Sequence, residues 1–164
     1  MSNDTLKPSN QEQTNPEQSS IKESKSIWHK SFTPDELNSW SSDTMSGYLE
    51  MKVIEIGDDY IKGRMPVTPK ILQPMGLVHG GANVAFAETL GSFAASLVVD
   101  REKQYVVGQE INANHLRGVR EGSVTGIAQS VYLGRTSHVW EIKLYDDREK
   151  LTCISRITMA ILNR

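Results

Sequence analysis

Alternation of polar and apolar positions is the most extensive pattern in this 164-residue chain. Six stretches carry it, each bounded by turn residues such as Gly, Pro, Asp or Asn, as half-buried strands usually are. They are residues 46–56, 60–67, 104–116, 123–133, 137–145 and 151–162. Because most connections are short, neighbouring strands should run antiparallel, and the pattern predicts one six-stranded antiparallel sheet.

A single long segment breaks this alternation between the second and third predicted strands. Residues 82–99 are apolar on almost every side, and a glycine-rich loop, residues 76–81, leads into them. Such a helix belongs in a protein interior, so we predict an α+β domain whose sheet curls around one long central helix. Glu88 near its middle, together with its Ala, Gly and Ser content, argues against a membrane span.

The region ahead of the first strand contains one strong helix signal. The segment TPDE at residues 33–36 is typical of a capping box with proline at the first helical position, and it predicts a short helix over residues 34–41. Residues 1–26, by contrast, contain too few apolar side chains to offset the entropy cost of ordering. We therefore predict a disordered tail over residues 1–26 and one folded domain over residues 27–164.

Composition and charge narrow the class of protein. The 18 Lys and Arg residues nearly balance the 20 Asp and Glu residues, and the net charge of -2 gives no electrostatic support for a nucleic-acid or membrane-surface partner. The single cysteine, Cys153, excludes an internal disulfide and fits a reducing compartment. Since the N-terminus also lacks a basic stretch followed by an apolar run, we expect a cytoplasmic protein without a secretory signal or an anchor.

The predicted central helix carries one narrow polar stripe. Glu88 and Ser92 lie about 40° apart around the helix axis, and Thr89 and Ser96 fall close by. At the helix N-terminus, the preceding glycines would leave backbone N–H groups free to bind a developing oxyanion. A carbonyl carbon held between those N–H groups and Glu88 would be attacked by the carboxylate, or by a water that it deprotonates.

The absence of a general acid near Glu88 in sequence indicates which leaving group the site can release. No residue close to it in sequence is an obvious general acid for an amine or alkoxide leaving group. A thiol, with a pKa near ~8.5, leaves as a thiolate with little help from an acid. The residues therefore favour acyl transfer from a thioester to water.

Seven short motifs occur with one joint spacing. They are GDD at 57–59, QP at 73–74, GLVHGG at 76–81, AETLGS at 87–92, EINANH at 110–115, REG at 120–122 and LGR at 133–135. With them the chain, over about residues 27–162, resembles the PaaI-like, hotdog-fold acyl-CoA thioesterases. The resemblance is strongest to the small bacterial group that contains the 1,4-dihydroxy-2-naphthoyl-CoA thioesterase of menaquinone synthesis and the proofreading thioesterase of enterobactin synthesis.

The resemblance implies roles for individual residues. Glu88 would be the nucleophile or general base, and the Gly80 N–H would polarise the thioester carbonyl. Gln73 and His79 would position the carbonyl and the attacking water, and Ser92 would hydrogen-bond near Glu88. Coenzyme A would be contacted by Gly108, His115, Leu116, Arg117, Gly118, Tyr132, Leu133, Gly134, Arg135, Thr136 and Ser137.

The resemblance also implies an assembly. Protomers would pair through a continuous sheet, and two dimers would form a homotetramer with active sites at the dimer interface, some CoA contacts coming from a neighbouring protomer. CoA enters as part of the substrate, so no separate cofactor is expected, and the four histidines lack the spacing of metal ligands. An acyl or aryl carrier protein could present the thioester instead of free CoA.

Each candidate residue also has a structural interpretation. Glu88 could pair with a structural partner, Ser92 could bond back to the preceding turn, and Gln73 could be an ordinary loop residue. His79 could cap the helix, and His115 could be structural. Arg117 and Arg135 could be solvated charges, and packing or surface positions are expected for Cys153, Trp28, Trp40, Trp140, His29 and His138.

The acyl group and two rival functions remain open at this level. An aromatic or other bulky acyl group is favoured, although Met75 stands where close relatives often carry phenylalanine. A hotdog enoyl-CoA hydratase would need a paired Asp and His in a different loop, and we find no such pair. A non-catalytic acyl-CoA sensor would carry a DNA-binding segment, and the chain has no helix-turn-helix pattern.

Overall fold

Six antiparallel strands form one sheet in the computed structural model, which describes residues 26–164. The strands are β1 (Lys52–Ile56), β2 (Tyr60–Pro66), β3 (Gln104–His115), β4 (Ser123–Leu133), β5 (Ser137–Tyr145) and β6 (Leu151–Asn163). Their order across the sheet is β1-β2-β4-β5-β6-β3, and every neighbouring pair is antiparallel. The predicted antiparallel sheet is confirmed, with β1 and β3 at its two edges.

One long helix, α3 (Gly80–Val98), packs across one face of this sheet. Phe86, Leu90 and Leu97 are buried between the helix and the strands. The approach is close, because a Cβ added at Gly126 of β4 would lie 2.6 Å from a Leu90 methyl carbon, so that position needs glycine. The predicted α+β architecture, a sheet around one central helix, is confirmed.

The sheet covers only one side of α3. Glu88 is exposed in the protomer, and Ser92 and Phe93 are only half-buried. The sheet covers the apolar face formed by residues such as Phe86 and Leu90, and it leaves the polar stripe open. The functional interest of this helix therefore lies on its uncovered side.

Two short helices and a 3-10 turn complete the elements: α1 (Pro34–Ser39), α2 (Met45–Tyr48) and the turn Pro69–Ile71. α1 begins at the predicted capping box. There the Thr33 N–H donates to the Glu36 carboxylate (2.7 Å), and the Glu36 N–H donates to the Thr33 hydroxyl (3.3 Å). The helix ends at Ser39, two residues before its predicted end.

The strand predicted over residues 46–56 is wrong in its first half. The Gly47 N–H donates to the Ser41 carbonyl (3.1 Å) and the Tyr48 N–H to the Thr44 carbonyl (2.9 Å), so this stretch forms the helical turn α2. Glu50, with a φ of 58°, then redirects the chain into β1. Alternation over so few residues fits a helical turn as well as a strand, and local backbone bonds decide between them.

A side chain occupies part of the outer side of β1. Asn38 of α1 donates an amide N–H to the Val53 carbonyl (2.9 Å), and its amide oxygen accepts the Val53 N–H (2.8 Å). The amide thus pairs with β1 as a neighbouring strand would. Within residues 26–164, no side-chain amide pairs with the outer side of β3 in this two-bond manner.

The residues ahead of α1 lie across the β1–β2 turn. The Ile27 N–H donates to the Asp58 carbonyl (2.9 Å), and Trp28 stacks on Trp140 with ring centroids 6.1 Å apart. Trp28, Trp140 and the fully buried Cys153 are packing residues, as predicted. The predicted disordered tail lies outside the described residues apart from Ser26. None of the helices in the described part of the chain is long and apolar enough to cross a lipid bilayer.

Candidate active site

The loop that precedes α3 is closed on itself by backbone bonds. Leu72 and Val78 form an isolated antiparallel bridge, and the Gln73 N–H donates to the Leu77 carbonyl (2.8 Å). The turn at its tip depends on Gly76, whose φ of 72° suits glycine and few other residues. Gln73 and His79, both predicted to position substrate, therefore lie on the two arms of one loop.

The side chain of His79 is the N-terminal cap of α3. Its Nδ1 accepts the Gly81 N–H at 2.8 Å, as the structural interpretation of this residue expected. Because Nδ1 accepts, the proton of the neutral imidazole sits on Nε2, which is then a donor. The Ala82 N–H donates to the His79 carbonyl (2.9 Å), whereas the Gly80 N–H has no acceptor within residues 26–164.

The end of β3 lies beside this free N–H group. A Cβ added at Gly80 would lie 2.8 Å from Nε2 of His115, so glycine at position 80 lets the imidazole approach the helix N-terminus. The Val78 N–H donates to the Val119 carbonyl (2.8 Å), and Gly118 packs against Leu77. The predicted CoA-contact residues 115–118 therefore lie against the loop of Gln73 and His79.

Glu88 lies in a different part of the molecule, next to β3. A Cβ added at Gly108 would be 3.1 Å from Oε1 of Glu88, so the carboxyl group rests over a glycine of that strand. On its other side Glu88 borders a cavity of about 410 Å³, whose walls include Trp40, Met45, Thr89, Ser92 and Phe93. Glu88, Ser92 and Gly108 are thus neighbours, as predicted for the first two by their helical spacing.

The hydroxyl groups of the polar stripe do different things. Thr89 donates back to the Ala85 carbonyl (2.8 Å) and Ser96 to the Ser92 carbonyl (2.8 Å), which are ordinary bonds within a helix. The Ser92 hydroxyl makes no such bond, and its nearest partner is the Met159 sulfur at 4.0 Å. No hydrogen bond joins Ser92 to Glu88 in the described residues.

The Gly80 N–H and the Glu88 carboxylate are far apart within one protomer. The backbone positions of Gly80 and Glu88 are eight residues apart in the helix, which corresponds to about 12 Å along the axis. The Glu88 carboxyl group lies over Gly108, whereas Gly80 lies beside His115, seven residues further along β3. A reacting carbonyl must lie about 3 Å from each group that acts on it. One copy of the chain therefore carries two partial sites, the N-terminal turn of α3 and the Glu88 side of the same helix.

The two predicted groups of CoA contacts are also apart. His115 pairs with Cys153 near one end of β6, whereas Ser137 pairs with Ala160 near the other end. Seven residues of strand separate these points, or roughly 23 Å. Tyr132 near the end of β4 and Arg135 and Thr136 in the β4–β5 turn are exposed, so a ligand can reach this end of the sheet.

The sequence did not assign Trp40 to the site. It was expected to be a packing residue, and it does pack, with its ring edge-to-face on Phe93 at 6.1 Å and the Arg101 guanidinium 3.7 Å above it. It also forms a wall of the Glu88 cavity. No local pattern could have placed it there, since α1 meets α3 only through the tertiary fold. Among residues 26–164, no three His, Cys, Asp or Glu side chains are grouped so as to hold a metal ion.

Sequence comparison decides the family. Residues 75–153 match the family model described as the thioesterase superfamily. Over 136 residues the chain is 45% identical to 1,4-dihydroxy-2-naphthoyl-CoA hydrolase of Escherichia coli, which covers 83% of this chain and 99% of that protein. The chain belongs to the thioesterase superfamily. This thioesterase is also 46% identical over 136 residues to the proofreading thioesterase EntH of Cronobacter sakazakii, covering 83% of this chain and 98% of the relative.

Solved structures agree with this membership. A variant of a Pseudomonas aeruginosa thioesterase superimposes with a TM-score of 0.84 at 42% identity, covering 85% of this chain and 100% of that one. A variant of a Staphylococcus aureus thioesterase gives a TM-score of 0.70 at 37% identity, covering 71% and 97%. The hotdog fold and the thioester-hydrolase activity expected from the sequence are confirmed.

Proposed function

We propose that this thioesterase hydrolyses an aromatic acyl-CoA in an active site shared by two protomers. Glu88 of one copy acts as the nucleophile or general base, and the Gly80 N–H of the other copy is the oxyanion donor. The observation that carries the proposal is the separation of the two partial sites by about 12 Å on one helix. Each partial site has the chemistry that the other lacks.

The N-terminal turn of α3 supplies hydrogen-bond donors for the thioester oxygen. The Gly80 N–H has no acceptor in the described residues, and the helix dipole adds positive potential there. His79 contributes a further donor, Nε2–H, because its Nδ1 is occupied by the helix cap. Gln73 stands on the opposite arm of the same loop. This turn can polarise a carbonyl, but residues 73–83, which form it, contain no carboxylate.

The Glu88 side supplies the missing group. Among residues 26–164, no side chain forms an ion pair or a hydrogen bond with the Glu88 carboxylate, so it is not engaged in a structural pair. The names of two solved Staphylococcus aureus variants give further support. One variant replaces a glutamate by alanine and the other replaces a glutamine by alanine. The two replaced residues stand 15 positions apart, which is also the separation of Gln73 and Glu88 in this chain.

The unpaired edge of the sheet offers the means to join the partial sites. β3 is 12 residues long and is bonded to β6 on one side only. Pairing of two β3 strands about a two-fold axis is necessarily antiparallel, so opposite ends of the strand meet. The Gly108 and Glu88 region of one copy would then face the His115 and Gly80 region of the other. Association of two such dimers into a tetramer, and CoA contacts from a neighbouring copy, complete the proposal.

The cavity beside Glu88 favours an aromatic acyl group. Trp40 and Phe93 give it an aromatic wall, and the hydroxyl groups of Ser46, Thr89 and Ser92 give it a polar side. Its volume of about 410 Å³ leaves space for a bicyclic ring. A 1,4-dihydroxy-2-naphthoyl or hydroxybenzoyl thioester combines a flat ring with hydroxyl groups, and the first is the substrate named for the Escherichia coli relative. A role in menaquinone synthesis would follow.

The chemistry needs only these groups and water. Glu88, or a water that it deprotonates, adds to the carbonyl carbon, and the negative charge moves to the oxygen held by the Gly80 N–H. The C–S bond then breaks, and CoA leaves as a thiolate that takes a proton from water. If Glu88 itself has added, water hydrolyses the resulting anhydride and restores the carboxylate.

The experiment measures thiol release from a panel of thioesters by the native enzyme and by Glu88→Gln. The panel contains dihydroxynaphthoyl, hydroxybenzoyl, phenylacetyl and long-chain fatty acyl groups on CoA. We expect the highest kcat/KM with a hydroxylated aromatic group and a fall of about 10²- to 10⁴-fold in Glu88→Gln. Glu102→Gln, at an exposed position after α3, is the matched control and should retain activity.

Two outcomes would contradict the proposal. Full turnover by Glu88→Gln would remove the carboxylate from the mechanism. A preference for the hydroxybenzoyl group on an aryl carrier protein, with little turnover of any CoA thioester, would favour the second candidate, a proofreading thioesterase like that named for the Cronobacter sakazakii relative.

A further inference from the structure

Arg120 belongs to the REG motif at residues 120–122, to which no role has been assigned so far, and its side chain makes a long-range contact. Its Nη1 donates to the Met75 carbonyl at 3.0 Å and approaches the Gly76 carbonyl at 3.5 Å. These carbonyls lie at the tip of the loop that carries Gln73. Met75 is 75% exposed, so packing does little to fix this tip. The tip is held by the backbone bond from the Gly76 N–H to the Gln73 carbonyl (2.9 Å) and by the Arg120 guanidinium, which bonds two of its carbonyls.

Met75 links Arg120 to Gln73, because it forms a hydrogen bond with each of them. The Met75 N–H donates to Oε1 of Gln73, while the carbonyl of the same residue accepts from Arg120. Because an N–H group needs an acceptor, the amide oxygen of Gln73 must face Met75, and its NH2 group is directed away. The orientation of the Gln73 amide thus depends on the position of Met75. That position depends in turn on Arg120.

We propose that Arg120 is a positioning residue, which holds the tip of the Gln73 loop so that the NH2 group of Gln73 is presented to the thioester carbonyl. The inference rests on the proposed function and on the role that the family resemblance implies for Gln73, which is to position the thioester carbonyl. Arg120 itself touches neither the substrate nor the reacting atoms. Its removal lowers the rate because the amide donor loses its fixed direction, and a displacement near 1 Å can cost up to about 10²-fold.

A phosphate of CoA is the alternative partner for this cation, since Arg117 is only three residues away. The two roles predict different kinetics. A phosphate contact acts on binding, so its loss raises KM, and only for substrates that carry the nucleotide. Positioning acts on the chemical step, so its loss lowers kcat whether or not the nucleotide is present.

The experiment compares Arg120→Met, which keeps the aliphatic stem without the donors, with Arg120→Lys, which keeps one charged donor. The matched control is Arg148→Met, an exposed arginine on the β5–β6 turn. Each variant is assayed with 4-hydroxybenzoyl-CoA and with 4-hydroxybenzoyl-pantetheine, which lacks the nucleotide. We expect kcat to fall about tenfold in Arg120→Met with both substrates, with KM nearly unchanged and partial recovery in Arg120→Lys.

Combination with Gln73→Ala completes the test. If Arg120 acts through Gln73, Arg120→Met should have no further effect on kcat in the Gln73→Ala background. An undiminished effect there, a KM increase confined to the CoA substrate, or native kinetics in Arg120→Met would each overturn the inference. Native activity in the single variant Gln73→Ala would instead refute the role proposed for Gln73. Thermal unfolding of each variant verifies that the fold is retained.

Discussion

The N-terminal turn of α3 and the middle of the same helix are held by different kinds of contact. Around Gly80, the backbone itself is tied down by the Leu72–Val78 bridge, the Val78–Val119 bond and the His79 cap. Around Glu88, a flexible side chain rests over Gly108 beside an open cavity. The proposed oxyanion donors are therefore preorganised within one copy of the chain, whereas the proposed catalytic carboxylate of Glu88 depends on its surroundings for direction.

In the proposed mechanism this difference would give the two parts of the site different tasks. Backbone donors cost nothing to orient at the moment of reaction, because folding has already oriented them. A carboxylate with some freedom can serve first as a base or nucleophile and then release the product. In the proposed dimer each active site would combine one rigid and one adaptable part.

Mixing two inactive variants tests whether the two parts come from different copies, and it should give the largest change. Gln73→Ala and Glu88→Gln are each expected to lose most of their turnover. In a mixed dimer one of the two sites carries both substitutions and the other carries neither, so equal mixing should restore about a quarter of native activity. Thiol release after unfolding and refolding the two variants together measures this gain. If activity stays at the level of the separate variants, both parts belong to one copy.

A Gly→Ala substitution next to the proposed oxyanion donor and another next to Glu88 compare the rigidity of the two parts of the site. In Gly80→Ala the new Cβ meets the His115 ring at 2.8 Å next to the oxyanion donor, and we expect kcat to fall about 10²-fold. In Gly108→Ala the Cβ meets the Glu88 carboxyl at 3.1 Å, which can yield by rotating, so a fall of about tenfold is expected. Steady-state kinetics of both variants check the order of the two effects.

The double variant Gly80→Ala, His115→Ala provides the control for the first substitution. Removing the imidazole makes space for the methyl group, so part of the lost kcat should return if the clash displaces the donor. An equal loss of activity in Gly80→Ala and Gly108→Ala would contradict the comparison, because it would mean that the two parts are equally rigid.

The smallest expected effect is a loss of folding stability at acidic pH. It would affect the whole domain, and therefore both parts of the site equally. His138 is 3% exposed, and burial lowers the pKa of its imidazole. In the unfolded chain the group binds a proton near pH 6.5, whereas the folded protein resists it. The free energy of unfolding should therefore be highest above pH 6.5 and fall below it, by at most about 1.4 kcal/mol per pH unit from this group.

Urea unfolding at pH 7.5, 6.5 and 5.5 measures the slope. In His138→Phe the titrating group is absent, so the decrease towards pH 5.5 should be smaller than in the native protein. A slope that is unchanged by the substitution would show that His138 does not control acid stability. The same data define the pH range in which activity losses can be attributed to the site.

The sheet was largely predictable from sequence because its turns are chemically marked. β4 and β5 have the predicted bounds, and β6 extends one residue further. The order of the strands was less accessible, since β2 pairs with β4 while β3 moves to the far edge. That order depends on where the chain rejoins the sheet after α3, and no local sequence pattern predicts this position.

The candidate site divides in a similar way. The chemistry proposed for Glu88 and the glycines could be inferred from residue type and helical spacing, whereas a role for Gln73 came only from the family resemblance. The contacts of Arg120 and Trp40 could not be inferred from the sequence. Arg120 bonds a carbonyl 45 residues away, and Trp40 meets Phe93 only after the chain has folded. The 12 Å gap between Gly80 and Glu88 could be calculated from helical rise, and it argues for two copies.

The amide of Asn38 makes the two borders of the sheet unequal. A sheet with two open borders can recruit further copies at both, and such growth has no natural end. Because the Asn38 side chain already satisfies the outer side of Val53, main-chain association is favoured at the opposite border, where the proposed dimer would pair two identical β3 strands. Such a contact is closed, because each molecule offers only one such strand and that strand is paired once the dimer has formed. A single asparagine thus favours a finite particle over a fibre.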